Sequence, residues 1–196
     1  MEFIRNVNQV LKVAQRCLVV TENWLKNCPD LKESRHAVGL SYANIGGVNR
    51  SFGNFKEALE YYKKGLKIGL EIFSENHHDV ATCYNNIGAI YRSLGNSKEA
   101  LEYHQKALKI GLEIWNENHP DVATSYNNIG VVYRDFGDFE EALEYIGKAF
   151  VIFCDTYKES HPNIIVVLTG LLIVAEKLNS LQRNTLKTIY PLCVKT

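Results

Sequence analysis

A chain of 196 residues that is 46% hydrophobic has the material for one core of ordinary domain size. Lysine plus arginine equal aspartate plus glutamate at 22 each, so no net field draws the chain to nucleic acid or to an anionic membrane, and neither is expected as a partner. The 5 cysteines, Cys17, Cys28, Cys83, Cys154 and Cys193, form no C-x-x-C pair, which points to reduced, mostly buried thiols in a cytoplasmic setting and away from a disulfide framework.

The N-terminus, M-E-F-I-R-N-V-N-Q-V, lacks the unbroken apolar stretch of a signal peptide. Phe3, Val7, Val10, Ala14, Cys17 and Trp24 instead keep a helical period and predict an entry or capping helix within 1–30, broken at Cys28-Pro29-Asp30. Asn49-Arg50-Ser51 matches a glycosylation sequon by letter but falls in a predicted helix and is discounted.

From residue 36 the chain repeats itself. D-V-A-T-C-Y-N-N-I-G at 79–88 returns after 42 residues as D-V-A-T-S-Y-N-N-I-G at 121–130, and a looser copy, Y-A-N-I-G, lies at 42–46. Each is followed by a second block: G-N-F-K-E-A-L-E-Y at 53–61, G-N-S-K-E-A-L-E-Y at 95–103 and G-D-F-E-E-A-L-E-Y at 137–145. In the second copy Val80, Tyr84, Ile87, Gly88 and Tyr91 share one helical face, and Ala100, Leu101, Ala107, Leu108 and Ile110 share another. Two antiparallel helices per unit follow. Gly53, Gly95 and Gly137 are expected to end the first helix with a positive φ. Gly46, Gly88 and Gly130, with Ala58, Ala100 and Ala142, let the helices approach closely.

The junctions S-E-N-H at 74–77, N-E-N-H at 116–119 and K-E-S-H at 158–161 carry a histidine each, followed at two of them by Pro120 and Pro162. Proline fits the first helical turn, so His77, His119 and His161 read as helix caps. Stacked units would hold the three roughly 10 Å apart, too far to share an ion, and no metal is expected among them.

Tyr-x-x-Ile-Gly, then Tyr, then Gly-x-Phe-x-x-Ala and Tyr, resembles the tetratricopeptide repeat in its 42-residue, kinesin light chain-like form. That resemblance implies an all-α fold, a right-handed α-solenoid of stacked helix-turn-helix repeats, framed here at 36–77, 78–119 and 120–160. A degenerate fourth unit and a closing helix would fill 161–196, because Val166, Thr169, Gly170 and Glu176 stand where the preceding unit has Thr124, Asn127, Asn128 and Arg134.

The family also implies that the first helix of each unit lines a concave, peptide-binding face. Projection at 100° per residue puts Thr82, Asn85, Asn86, Ala89, Arg92 and Ser93 opposite the apolar side, with counterparts in the other two copies. The candidate peptide-binding set is Leu40, Asn44, Arg50, Thr82, Asn85, Asn86, Arg92, Thr124, Asn127, Asn128 and Arg134. Amides grip main chain and guanidinium groups grip carboxylates, which suits a protein partner with an acidic linear motif. The bland alternative gives these asparagines and arginines to neighbouring helices.

The run I-I-V-V-L-T-G-L-L-I-V-A at 164–175 is too short for the roughly 20 residues a bilayer needs. It reads as a buried terminal helix or as a self-association surface through Ile164, Val167, Leu171 and Ile173. A structural or oligomerising module is therefore the second functional reading. No H-E-x-x-H, phosphate-loop or G-x-S-x-G motif is present, so neither catalysis nor a cofactor is expected. His104, inside a helix, reads as a packed or half-exposed histidine.

Overall fold

The computed structural model describes residues 2–157 and 161–178, with side chains from Gln9 onward. The described residues form eight α-helices: α1 (Glu2–Asn27), α2 (Lys32–Ser51), α3 (Phe55–Ile72), α4 (His78–Ser93), α5 (Ser97–Ile114), α6 (Pro120–Phe136), α7 (Phe139–Thr156) and α8 (Pro162–Lys177). They fall into two compact units, divided between Asn96 and Ser97. Within each unit every helix packs on the next in sequence, giving the expected all-α class of helix-turn-helix repeats. The expected closing helix at 181–196 and residues 158–160 of the third junction lie outside the described residues, as do the side chains of Phe3 and Val7.

In the first unit α1 ends at Asn27, and the buried Ser34 hydroxyl ties the break to α2 through the carbonyls of Cys28 (2.7 Å) and Leu31 (2.8 Å). α2 stops at a turn in which Gly53 takes φ 78°, while the amides of Gly53 and Asn54 satisfy the last carbonyls at Arg50 (3.0 Å) and Asn49 (2.9 Å). Asn49 itself is buried and donates from its side chain to the Ile45 carbonyl, which disposes of the sequon. Gly46 lies under the Tyr62 ring, whose atoms stand 3.0 Å from where a Cβ would be. Val38, Ile45, Ala58, Tyr62, Val80, Ile87 and Ile90 make the core of this unit.

The second unit is built in the same way. Pro120 and Pro162 open α6 and α8, and α6 ends on Gly137 at φ 89°. Its core joins Val122, Tyr126, Ile146, Phe150, Phe153, Ile164, Val167, Leu171 and Val174. Leu101 and Leu108, assigned to the buried face of α5, are only half-buried, whereas His104 is 1% exposed and belongs to the interior.

Two expectations are corrected here. Among the described cysteines only Cys83 is buried; Cys17 is exposed and Cys28 and Cys154 are half-buried, while Cys193 lies outside the described residues. In α8, Ile164, Val167 and Leu171 are inside the core against α7 and so unavailable to another molecule. The exposed apolar side is Ile165, Val166, Leu172 and Ile173, of which only Ile173 was anticipated. An apolar run on all sides of a helix cannot reveal from period alone which side a neighbour covers.

Candidate partner-binding surface

The projected residues lie on the first helices of the repeats, in two sets. In the first unit α2 carries Leu40, Asn44 and Arg50, all exposed, and α4 carries exposed Thr82 with half-buried Asn85, Asn86 and Arg92. In the second unit α6 carries exposed Thr124 with half-buried Asn127, Asn128 and Arg134.

Local partners separate these residues. Burial raises the pKa of the Tyr62 phenol, and the nearby positive charge of Arg50 partly counteracts it. Arg134 lies 3.6 Å from the Asp135 carboxylate, beyond hydrogen-bond reach. The Thr124 hydroxyl donates back to the Pro120 carbonyl at 3.0 Å, which leaves its oxygen as an acceptor.

Asn44 sits in a cleft of about 530 Å³ between α1 and α2, lined also by Gln9, Val10, Val13, Ala14, Cys17 and Ser41. Val10 and Val13 are half or more exposed there. These α1 residues were assigned to an entry helix and missed as surface. A signal for them exists in the sequence: no aspartate or glutamate occurs between Glu2 and Glu22, or between Glu33 and Glu57. Lys12, Arg16, Arg35 and Arg50 are exposed in those stretches. The α1–α2 pair thus has an apolar cleft and more basic than acidic residues, in a chain of net charge zero.

The junction histidines cap helices. His77, His119 and His161 each accept the backbone N–H two residues on, at Asp79, Asp121 and Asn163, all at 3.2 Å. Each ring also stacks on the aromatic side chain that ends the preceding helix: His77 on Phe73 (3.7 Å between centroids), His119 on Trp115 (4.4 Å) and His161 on Tyr157 (3.8 Å). Burial, the largest effect, lowers the His77 pKa, and the nearby Asp79 carboxylate opposes it.

Two tetratricopeptide repeat profiles match the sequence, one over residues 37–113 and the other over residues 122–163, together more than half of the chain. No curated protein sequence matches. Among solved structures the fold is similar to BtubC (BKLC) from P. vanneervenii, with a TM-score of 0.69 and 19% identity over 97% of this chain and 93% of that one. It is similar to a kinesin light chain-like protein of Podosopora anserina with nearly identical TPR-like repeats, at a TM-score of 0.64 and 17% identity over 96% and 90% of the two chains. The apo form of RapI gives a TM-score of 0.72 and 17% identity, with 98% of this chain covered and 64% of the other. At such identities the likeness is one of fold. Among the described residues no helix is long and apolar enough to cross a membrane. Repeats of this kind generally mediate protein–protein interactions, and neither profile is that of an enzyme family. The chain belongs to the tetratricopeptide repeat family, and its structural neighbours include kinesin light chain-like members.

Proposed function

We propose that the protein is an adaptor that binds an acidic peptide segment of a partner protein along the first helices of its repeats. The observation that carries this reading is the Asn44 cleft between α1 and α2, which no carboxylate lines, in helices whose stretches 3–21 and 34–56 contain basic residues and no acidic ones. In the first unit exposed Leu40 and Asn44 would contact apolar and main-chain groups of such a segment and Arg50 and Arg92 its carboxylates; in the second unit Arg134 would take the carboxylate part. Within each unit the amides, Asn85 and Asn86 in the first and Asn127 and Asn128 in the second, would hydrogen-bond the backbone of the segment, beside Thr82 and Thr124 respectively. The free thiols of Cys17, Cys28, Cys83 and Cys154 support a reducing, cytoplasmic setting.

The test is fluorescence anisotropy with acidic, neutral and basic peptide pools of matched length at low and moderate salt. Acidic peptides are expected to bind best and to weaken as salt rises. Arg92→Glu and Arg134→Glu are expected to weaken them about tenfold or more each. Equal binding of acidic and basic pools, or indifference to both reversals, would remove this assignment.

A second reading is favoured by one observation, the exposed apolar side of α8. Self-association through Ile165, Val166, Leu172 and Ile173 would make the protein an oligomerising module. Light scattering decides it: a particle heavier than one chain that is indifferent to acidic peptide favours this reading over the adaptor.

A further inference from the structure

One junction departs from its siblings. α6 and α8 begin His119-Pro120 and His161-Pro162, but α4 begins His77-His78-Asp79, with a second histidine where the others have proline. A third histidine reaches the same place from α2, His36 Nε2 lying 2.7 Å from Asp79 Oδ2. Half of the chain's 6 histidines therefore gather around one carboxylate.

The donor atoms converge. His78 Nδ1 is 3.2 Å from Asp79 Oδ1 and His77 Nδ1 is 3.8 Å from Asp79 Oδ2. One ligand atom from each of His77, His78 and Asp79 lies within 4.8 Å of the others. Ligands about 2.1 Å from a tetrahedral zinc ion stand roughly 3.4 Å from one another, so modest side-chain rotations close this set around an ion. Stacking on Phe73 holds the His77 ring in place, at 4° between planes.

We propose that His77, His78 and Asp79 form a binding site for a divalent transition metal of the zinc class. His36 is the positioning residue: it donates from Nε2 to the second Asp79 oxygen and turns the first toward the ion, as outer-sphere histidine–carboxylate contacts do. The fourth position is left for water. Two imidazoles and one carboxylate favour zinc, cobalt, nickel or copper over magnesium or calcium. Binding takes the Nδ1 lone pair of His77 away from the Asp79 N–H, and the positive end of α4 and Lys32, whose Nζ stands 4.5 Å from the Phe73 ring centre, oppose a cation. The site is accordingly a partly exposed, exchangeable one and not a closed structural centre.

The test uses the full chain. Zinc is titrated against a chromophoric chelator, and cobalt is substituted to read the ligand set from its visible spectrum. One equivalent is expected to bind, with no thiolate-to-cobalt band. His78→Pro restores the residue found at the sibling junctions and so keeps the helix start; it and Asp79→Asn are each expected to weaken binding at least about tenfold. His119→Asn, at a junction with proline in place of the second histidine, should leave binding unchanged. Circular dichroism confirms that the variants are folded. Absence of stoichiometric binding, a thiolate band, or indifference to both His78→Pro and Asp79→Asn would overturn the assignment.

Discussion

At the scale of single residues, the junction histidines do two jobs with one ring. His119 Nδ1 accepts the Asp121 N–H at 3.2 Å, and the ring lies parallel to Trp115 within 2°. Losing a cap costs about 1 kcal/mol, and losing an aromatic stack about 0.5–1.5 kcal/mol. His119→Ala removes both and is expected to cost about 2 kcal/mol in urea denaturation. His119→Asn keeps an acceptor at the cap and should recover about half of that; equal losses for the two variants would mean the acceptor contributes nothing. The cap was legible because a proline follows it. The stack was not, since it depends on the angle at which the preceding helix ends. His36 and Asp79 were not legible either, being 43 residues apart and meeting only where the fold brings the first turn of α4 to the first turns of α2.

Cys83 gives a second prediction at this scale. Burial, aided by the Asp79 charge, pushes its thiol from 9.0 up to about 11. The fold holds the neutral thiol, so its contribution to stability is fully present below the unfolded value and is lost as pH rises through the window from 9.0 to about 11. Iodoacetamide on the native protein should label exposed Cys17 first and leave Cys83 unmodified until denaturant is added. Peptide mass spectrometry reads the order, and early labelling of Cys83 would show that the core of the first unit opens readily.

At the scale of elements, the glycines separate two requirements that the repeat pattern writes with one letter. A Cβ on Gly130 would lie 2.5 Å from Ile146 Cγ1, 3.0 Å from the Ile146 nitrogen and 3.1 Å from the Ala142 carbonyl oxygen, so α6 and α7 would have to move apart. A Cβ on Gly137 meets nothing within 4 Å, but the residue sits at φ 89°. Gly130→Ala is expected to destabilise by about 3 kcal/mol through overpacking, and Gly137→Ala by about 1–2 kcal/mol through the left-handed backbone. Thermal melts of the two variants check the order. Both roles were readable from a repeat that fixes glycine at the same two places each time. The half-buried Leu101 and Leu108 were misread because a helical period gives the direction of a face but not how far its neighbour extends over it.

At the scale of the molecule, α8 shows what happens where the pattern decays. One repeat length earlier, α6 has Ala123 and Gly130 where α8 has Ile165 and Leu172; α6 buries its pair, whereas Ile165 is 56% and Leu172 57% exposed. Adjacent Leu171 is 2% exposed and faces α7. Two neighbouring leucines are therefore predicted to differ sharply when each becomes charged. Leu171→Glu puts an unpaired carboxylate into the core and should cost about 4 kcal/mol or more, enough to unfold the second unit. Leu172→Glu exchanges exposed apolar surface for exposed charge and should change stability by less than about 0.5 kcal/mol. Light scattering on this variant then separates the two functional readings without the ambiguity of unfolding. A folded protein whose particle mass falls on introduction of Glu at 172 joins copies through α8. One whose mass is unchanged while acidic peptides still bind directs attention back to the α1–α2 cleft and the arginines of the first helices.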